Sequence, residues 1–267
     1  MKKRFFAIFL AVCLVATLLP AGVLAADGTQ TIHVGGEELA STDGGTVYAT
    51  TDDEGNVTKL ESAEGATITW NGETLTLKDA TIKGNSGKGI VYRDGDLTIS
   101  LEGTNKIGKE NDIYSDASGI HVDGSLTVTG DGQLDVAGLT RGITASGNAK
   151  FSGGTVNATA AASATTSGDY PMGIYAGSVT VDGGTVTAET EGYNGYGIYT
   201  DTNGGGVTVE RGSVTARGNE NGIQTQGDVN ISGGTVVAEG GNVGIWVAPY
   251  KGFSIKITGG EVTVTGG

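Results

Sequence analysis

The sequence predicts an all-β, single-stranded parallel β-helix, and three observations carry that prediction. Residues 173–189, GIYAGSVTVDGGTVTAE, hold three short runs separated by Gly177 and by the pair Gly183-Gly184. In the second and third runs the apolar residues fall on alternate positions, Val179 and Val181, then Val186 and Ala188. A period of two is the strand period, and glycine supplies the corners because it takes positive φ without a Cβ clash. The Gly-Ile pair that opens this unit returns at Gly89, Gly119, Gly142, Gly173, Gly197, Gly222 and Gly244, in steps of 30, 23, 31, 24, 25 and 22 residues. Uneven steps around a constant core place the extra residues in one loop, and a period of this size marks a solenoid of stacked coils.

Aligning the units gives the third observation. The position after the Gly-Gly corner reads Leu134, Val156, Val186, Val214, Val236 and Val262. The preceding strand stacks Leu126, Ala149, Val179, Val207, Val229 and Ile255, with Val128, Phe151, Val181, Val209, Ile231 and Ile257 two residues on. Like residues then lie over like at the inter-strand spacing of about 4.8 Å. A sandwich of antiparallel hairpins gives no reason for Gly-Ile to return at near-constant steps. About eight coils are expected.

In chain order, residues 1–25 read as a secretory signal peptide: Lys2, Lys3 and Arg4 precede an apolar run over 5–24, and Val23-Leu24-Ala25 offers a small-x-small cleavage site. The single cysteine, Cys13, lies inside it, so the mature chain is expected to rest on its core and any bound ions without disulfides. Cleavage leaves 13 basic residues against 30 acidic ones, a net charge of −17. That balance disfavours nucleic acid and anionic membranes as partners and suits cations, neutral sugars and plain solubility. With no second hydrophobic segment, no bilayer span is expected after cleavage. Localisation is expected to be secreted or at the cell surface.

Residues 26–65 lack the repeat and read as an N-terminal cap of strands, since an open first coil would expose unpaired backbone. The β-helix is expected over 66–267, starting with TITW, the Asn71-Gly72 turn and TLTLKDATIKG. Two long loops interrupt it, an acidic one over 108–118 and an Ala/Ser/Thr-rich one over 159–172. The final ITGGEVTVTGG stops two strands into a coil and reads as an end cut short.

The order TIHVGGEEL, TITWNGETLTLKDATIKG, GIVYRDGDLTISLEGTNKI and then repeated GIxA…GGTVxA units resembles a group of secreted proteins from gut and soil Firmicutes. Those are carbohydrate-binding, pectate-lyase-like right-handed parallel β-helices. The resemblance spans roughly residues 30–267 and implies right-handed winding and a polysaccharide ligand, often with calcium held by surface carboxylates. Lyases, hydrolases, adhesins and pure binders share this architecture, and no catalytic residue carries over by motif.

Candidate chemistry lies just after the Gly-Ile pair. With Ile inward, the next residue faces out, and down the coils it reads Val91, His121, Thr144, Tyr175, Tyr199, Gln224 and Trp246. Tyr170, Tyr193 and Tyr196 are expected in the adjoining loops, and Tyr250 follows Trp246. Such a row, with amides and carboxylates beside it, suits the apolar faces and polar edges of sugar rings. A stabilising aromatic ladder accounts for it equally well. Tyr175, Tyr199 and Trp246, supported by Tyr196, Tyr193 and Gln224, are the candidate contacts of a non-catalytic binder or adhesion module. A lyase acting on acidic glycans would centre instead on Arg93, His121, Asp123 and Arg141, where a base must take a proton beside a uronate. A structural stalk is the third reading. For paired-carboxylate hydrolysis the only outward carboxylates on this strand, Asp123 and Asp201, are three coils, about 14 Å, apart, beyond the required range of about 5 to 9.5 Å, which excludes that pair unless loops contribute. Calcium is a candidate at Glu110, Asp112 and Asp116, or at Asp94 and Asp96, although no complete oxygen-ligand motif appears. The outward Thr155, Thr185, Ser213 and Thr235 raise ice binding, but Val237 and Glu261 interrupt the array.

Overall fold

The structure is a computed structural model that describes residues 28–84, 89–108, 118–161, 170–190, 192–201, 204–249 and 252–267. The expected signal peptide lies outside the described residues. Every described element that forms part of the architecture is a β-strand, and the strands wind into a β-solenoid.

The first strands build the cap. β1 (Thr29–Val34) and β2 (Glu37–Thr42) form an antiparallel hairpin, and β3 (Val47–Thr51) pairs antiparallel with β4 (Val57–Leu60) and β5 (Ile68–Trp70). β5 was expected to open the first coil. It instead pairs antiparallel with both β3 and β6 (Thr74–Lys78), so parallel winding starts at β6. Asn71 makes this hairpin turn, its side-chain oxygen accepting from the N–H groups of Glu73 and Thr74. β7 (Thr81–Lys83) and β8 (Ile90–Tyr92) complete the first circuit, and β1 lies antiparallel along β8. Trp70 and Tyr92 meet edge to face at 5.4 Å, and Gln30 accepts from both the indole N–H and the Tyr92 hydroxyl. The cap thus covers the strand edges and apolar side chains that a bare first coil would expose.

Beyond the cap all coil-to-coil pairing is parallel, in three stacked sheets. The Gly-Ile sheet runs from β8 through Ser118–Val122, the start of Arg141–Phe151, the start of Met172–Thr190, Tyr196–Thr200 and Asn221–Thr225 to Val243–Val247. Among the described residues seven strands stack here, and the path from first to last makes about six turns. That is fewer than the eight or so coils expected. The difference lies at the ends, where β6 and β7 precede the first Gly-Ile strand and Ile255–Ile257 and Glu261–Thr265 follow the last.

The inward columns match the alignment. Ile90, Ile120, Ile143, Ile174, Ile198 and Ile223 are fully buried, as are Leu126, Ala149, Val207 and Val229. Only the final coil is open: Ile255, Ile257 and Val264 are 46%, 52% and 50% exposed. Each buried aliphatic side chain contributes about 1.5–3 kcal/mol, so the repeated columns supply the main driving force.

The glycine of each Gly-Ile pair sets how closely the coils approach. A Cβ built on Gly89, Gly119, Gly142, Gly173, Gly197 or Gly222 would lie 2.6–2.9 Å from the carbonyl oxygen of the same glycine in the next coil. At the Gly-Gly corner the second glycine has positive φ as well, +69° at Gly184 and +75° at Gly234. Replacing Gly197 by Ala would put a methyl 2.5 Å from Arg217 N and 2.6 Å from Gly222 O, backbone atoms on two elements. Gly108 has only Ile82 O near, at 3.8 Å. Urea unfolding is expected to show Gly197→Ala losing about 1–3 kcal/mol or more, while Gly108→Ala stays close to wild type. Equal midpoints for the two variants would refute this account of the Gly-Ile repeat.

Candidate functional site

Because the coils are in register, the residues after Ile form a straight outward column. Val91, His121, Thr144, Tyr175, Tyr199, Gln224 and Trp246 pair successively from coil to coil. Tyr175, Tyr199, Gln224 and Trp246 are all half-buried. The Tyr175 and Tyr199 rings stack with centroids 6.0 Å apart and planes 11° from parallel. The Arg141 guanidinium caps the pile, 4.4 Å from the Tyr175 centroid. With faces turned toward one another, the two rings offer mainly edges and hydroxyls outward. The Tyr175 hydroxyl donates to Asp201 Oδ2.

Tyr196 opens the strand Tyr196–Thr200 rather than lying in a loop, and is only 7% exposed. Its ring lies 5.3 Å from Tyr199 and 5.6 Å from Tyr170, so it supports the column from the side. Among the described residues the freely exposed aromatics are Tyr193, at 71%, and Tyr170, at 44%. Tyr193 sits beside Asn194, whose φ of +57° turns the chain before Tyr196. Tyr250 lies outside the described residues. The face therefore combines ring edges and hydroxyls at its centre, an amide at Gln224, and Trp246 and Tyr193 at its margins.

Three residues of the lyase reading meet at one carboxylate. His121 Nε2 lies 2.8 Å from Asp123 Oδ1, and Arg93 lies 3.2 Å from Asp123 Oδ2. Burial raises the Asp123 carboxyl, but the His121 hydrogen bond and the Arg93 charge together outweigh it and hold it below the usual range. The Arg141 guanidinium lies on the Tyr175 ring. Asp94 and Asp96 accept from the backbone N–H groups of Thr31 and Ser125, which fixes loops. Among the described residues there is no group of three or more His, Cys, Asp or Glu side chains able to hold a metal ion. Glu110, Asp112 and Asp116 lie outside the described residues. The column Thr155, Thr185, Ser213, Thr235 and Glu261 pairs in register on another sheet. Among the described residues no helix is long and apolar enough to cross a membrane.

Fold and face together define a parallel β-solenoid with one aromatic and polar outward column. Residues 66–267 match the family of carbohydrate-binding domain-containing proteins, and the chain belongs to that family. No curated protein and no solved structure matches the chain.

Burial, and next the hydrogen bond with Asp201, push the Tyr175 phenol up to about 12; burial, aided by Glu220 and Tyr170, does the same for Tyr196. An unfolded tyrosine ionises near about pH 10, so above that pH the unfolded chain releases these protons first. Stability from these groups is thus full below about pH 10 and is lost as pH rises toward about 12. Urea midpoints measured across this window are expected to fall, and to fall less in a Tyr175→Phe/Tyr196→Phe variant. An identical fall in that variant would contradict the assignment.

Proposed function

We propose that the chain is an exported, non-catalytic polysaccharide-binding module, acting in solution or as a cell-surface adhesion element. Its contact face is the outward column of the Gly-Ile sheet, with Tyr199 and Gln224 at the centre, Tyr175 and Tyr196 beside them, and Trp246 and Tyr193 at the margins. The reading is carried by one observation: a chain of the carbohydrate-binding family has Tyr175, Tyr199 and Trp246 on one outward column of one sheet. Sugar hydroxyls would meet the Tyr hydroxyls, Asp201 and Gln224, while the apolar faces of the rings would lie on Trp246 and Tyr193. Binding through an open face needs no deep pocket and no general base. The Arg93–Asp123–His121 group favours a structural part here, because an arginine held against a carboxylate remains charged and is a poor proton acceptor.

A glycan panel separates the readings. The mature protein, residues 26–267, is expected to retain at least one polysaccharide without generating unsaturated products. Trp246→Ala and Tyr199→Ala are each expected to weaken retention about tenfold, the effect of losing one aromatic contact of about 1–1.5 kcal/mol. Absorbance of unsaturated ends would establish a lyase instead. Absence of any retained glycan would leave a stalk.

A further inference from the structure

Two buried side-chain polar atoms among the described residues lack a hydrogen-bond partner, Arg141 Nε and Asn221 Oδ1. Both lie in the same column, which runs Ser118, Arg141, Met172, Tyr196, Asn221 and Val243 beside the proposed contact face. Each of these residues stands three before a member of the outward column, and several touch it. Arg141 lies on the Tyr175 ring, and Tyr196 lies against Tyr199. Asn221 Nδ2 donates to Gln224 Oε1 at 2.5 Å.

The fold does not require an amide at this position. One coil on, the column holds Val243, and two coils back it holds Met172. Asn221 is 4% exposed, and a buried carbonyl without a donor weakens folding, whereas an apolar side chain of similar size would not. Unpaired buried groups collect where a site demands something that packing does not. What Asn221 supplies is the orientation of Gln224. With Oε1 engaged by Asn221, Gln224 has its Nε2 hydrogens left for another acceptor, between Tyr199 on one side and Trp246 on the other.

We infer that Asn221 is a positioning residue that fixes Gln224 as a hydrogen-bond donor to a hydroxyl or ring oxygen of the bound sugar. The inference rests on the preceding functional reading and extends it to a residue that never touches the ligand. Gln224 thereby selects for an acceptor oxygen at the point where the chain crosses from Tyr199 to Trp246.

The test is a double-mutant cycle with two further readouts. Asn221→Val is expected to keep or raise the urea midpoint, since it removes the unpaired carbonyl. It is also expected to lower retention of whichever polysaccharide the panel identifies by about tenfold, matching Gln224→Ala. The double variant should bind no more weakly than Gln224→Ala alone, because both remove one interaction. NMR relaxation of the Gln224 side-chain amide should show it ordered in the wild type and mobile in Asn221→Val, with or without ligand. Asn221→Ser, smaller and still polar, gives the same amide readout if the valine variant folds poorly. A lowered midpoint with unchanged retention, multiplied losses in the double variant, or an equally ordered Gln224 amide in both proteins would each overturn the inference. If the wild type retains no glycan, the functional reading fails, while loosening of the Gln224 amide in Asn221→Val would still uphold the positioning role.

Discussion

The approach of one Gly-Ile glycine to the carbonyl of the next is the constraint from which the rest of the molecule follows. At this point the Gly-Ile strand runs so close to the strands after the Gly-Gly corner that no Cβ fits. A Cβ at Gly173 would lie 2.5 Å from Glu189 N, and one at Gly222 would lie 2.6 Å from Glu239 N. Any other residue would push two sheets apart at once. Closing that corner tightly lets the following Ile reach the axis, where Ile174, Ile198 and Ile223 are fully buried. The isoleucine column then leaves the next residue no choice but to face outward. Glycine, core and outward face are one geometric statement about three consecutive positions.

Register also explains how an acidic chain tolerates stacking at the close spacing of parallel strands. Like charges directly over one another destabilise a sheet, and the described coils avoid this by alternating sign along the axis. Arg217 lies between Glu189 and Glu239, with contacts of 2.6 and 2.7 Å. Asp182 lies between Lys150 and Arg211, whose hydrogen bonds hold its carboxyl below the usual range. These pairs are exposed and each adds little to stability. Their effect is to remove a repulsion that would otherwise grow with every coil. Three of the four described arginines answer carboxylates in this way, and Arg141 lies on an aromatic ring instead.

The stacking columns were legible in the sequence because a solenoid converts repetition into contact. Once the Gly-Ile pairs are aligned, Tyr175 must pair with Tyr199 and Gln224 with Trp246, and they do. What alignment could not show is anything set by a side chain's direction within its row. The Tyr175 and Tyr199 faces turn along the axis, because Arg141 and the rings satisfy each other there. Tyr196 reads as a loop residue, since nothing in its neighbourhood GYNGY distinguishes a turn from the first position of a strand. The antiparallel pairing of β5 was hidden for a related reason: Ile68 and Trp70 alternate with polar residues as any coil strand would. Asn221 escaped notice because its column does not repeat one chemistry. That irregularity was itself the available signal, beside an isoleucine column that does not change.

Uniformity and irregularity therefore separate two kinds of position. The isoleucine column and the column from Leu126 to Val229 stay aliphatic from coil to coil because each coil meets the same packing problem there. Columns bordering the Tyr175–Trp246 face change from hydroxyl to guanidinium to thioether to phenol to amide, and the described buried polar atoms without partners occur only there. A ligand running along a solenoid does not present the same atom to each coil, so a surface that reads it must vary where the core cannot. The glycine stack makes such variation possible: with the approach of the coils set by glycine, a change of outward side chain alters what a coil presents without moving its neighbours.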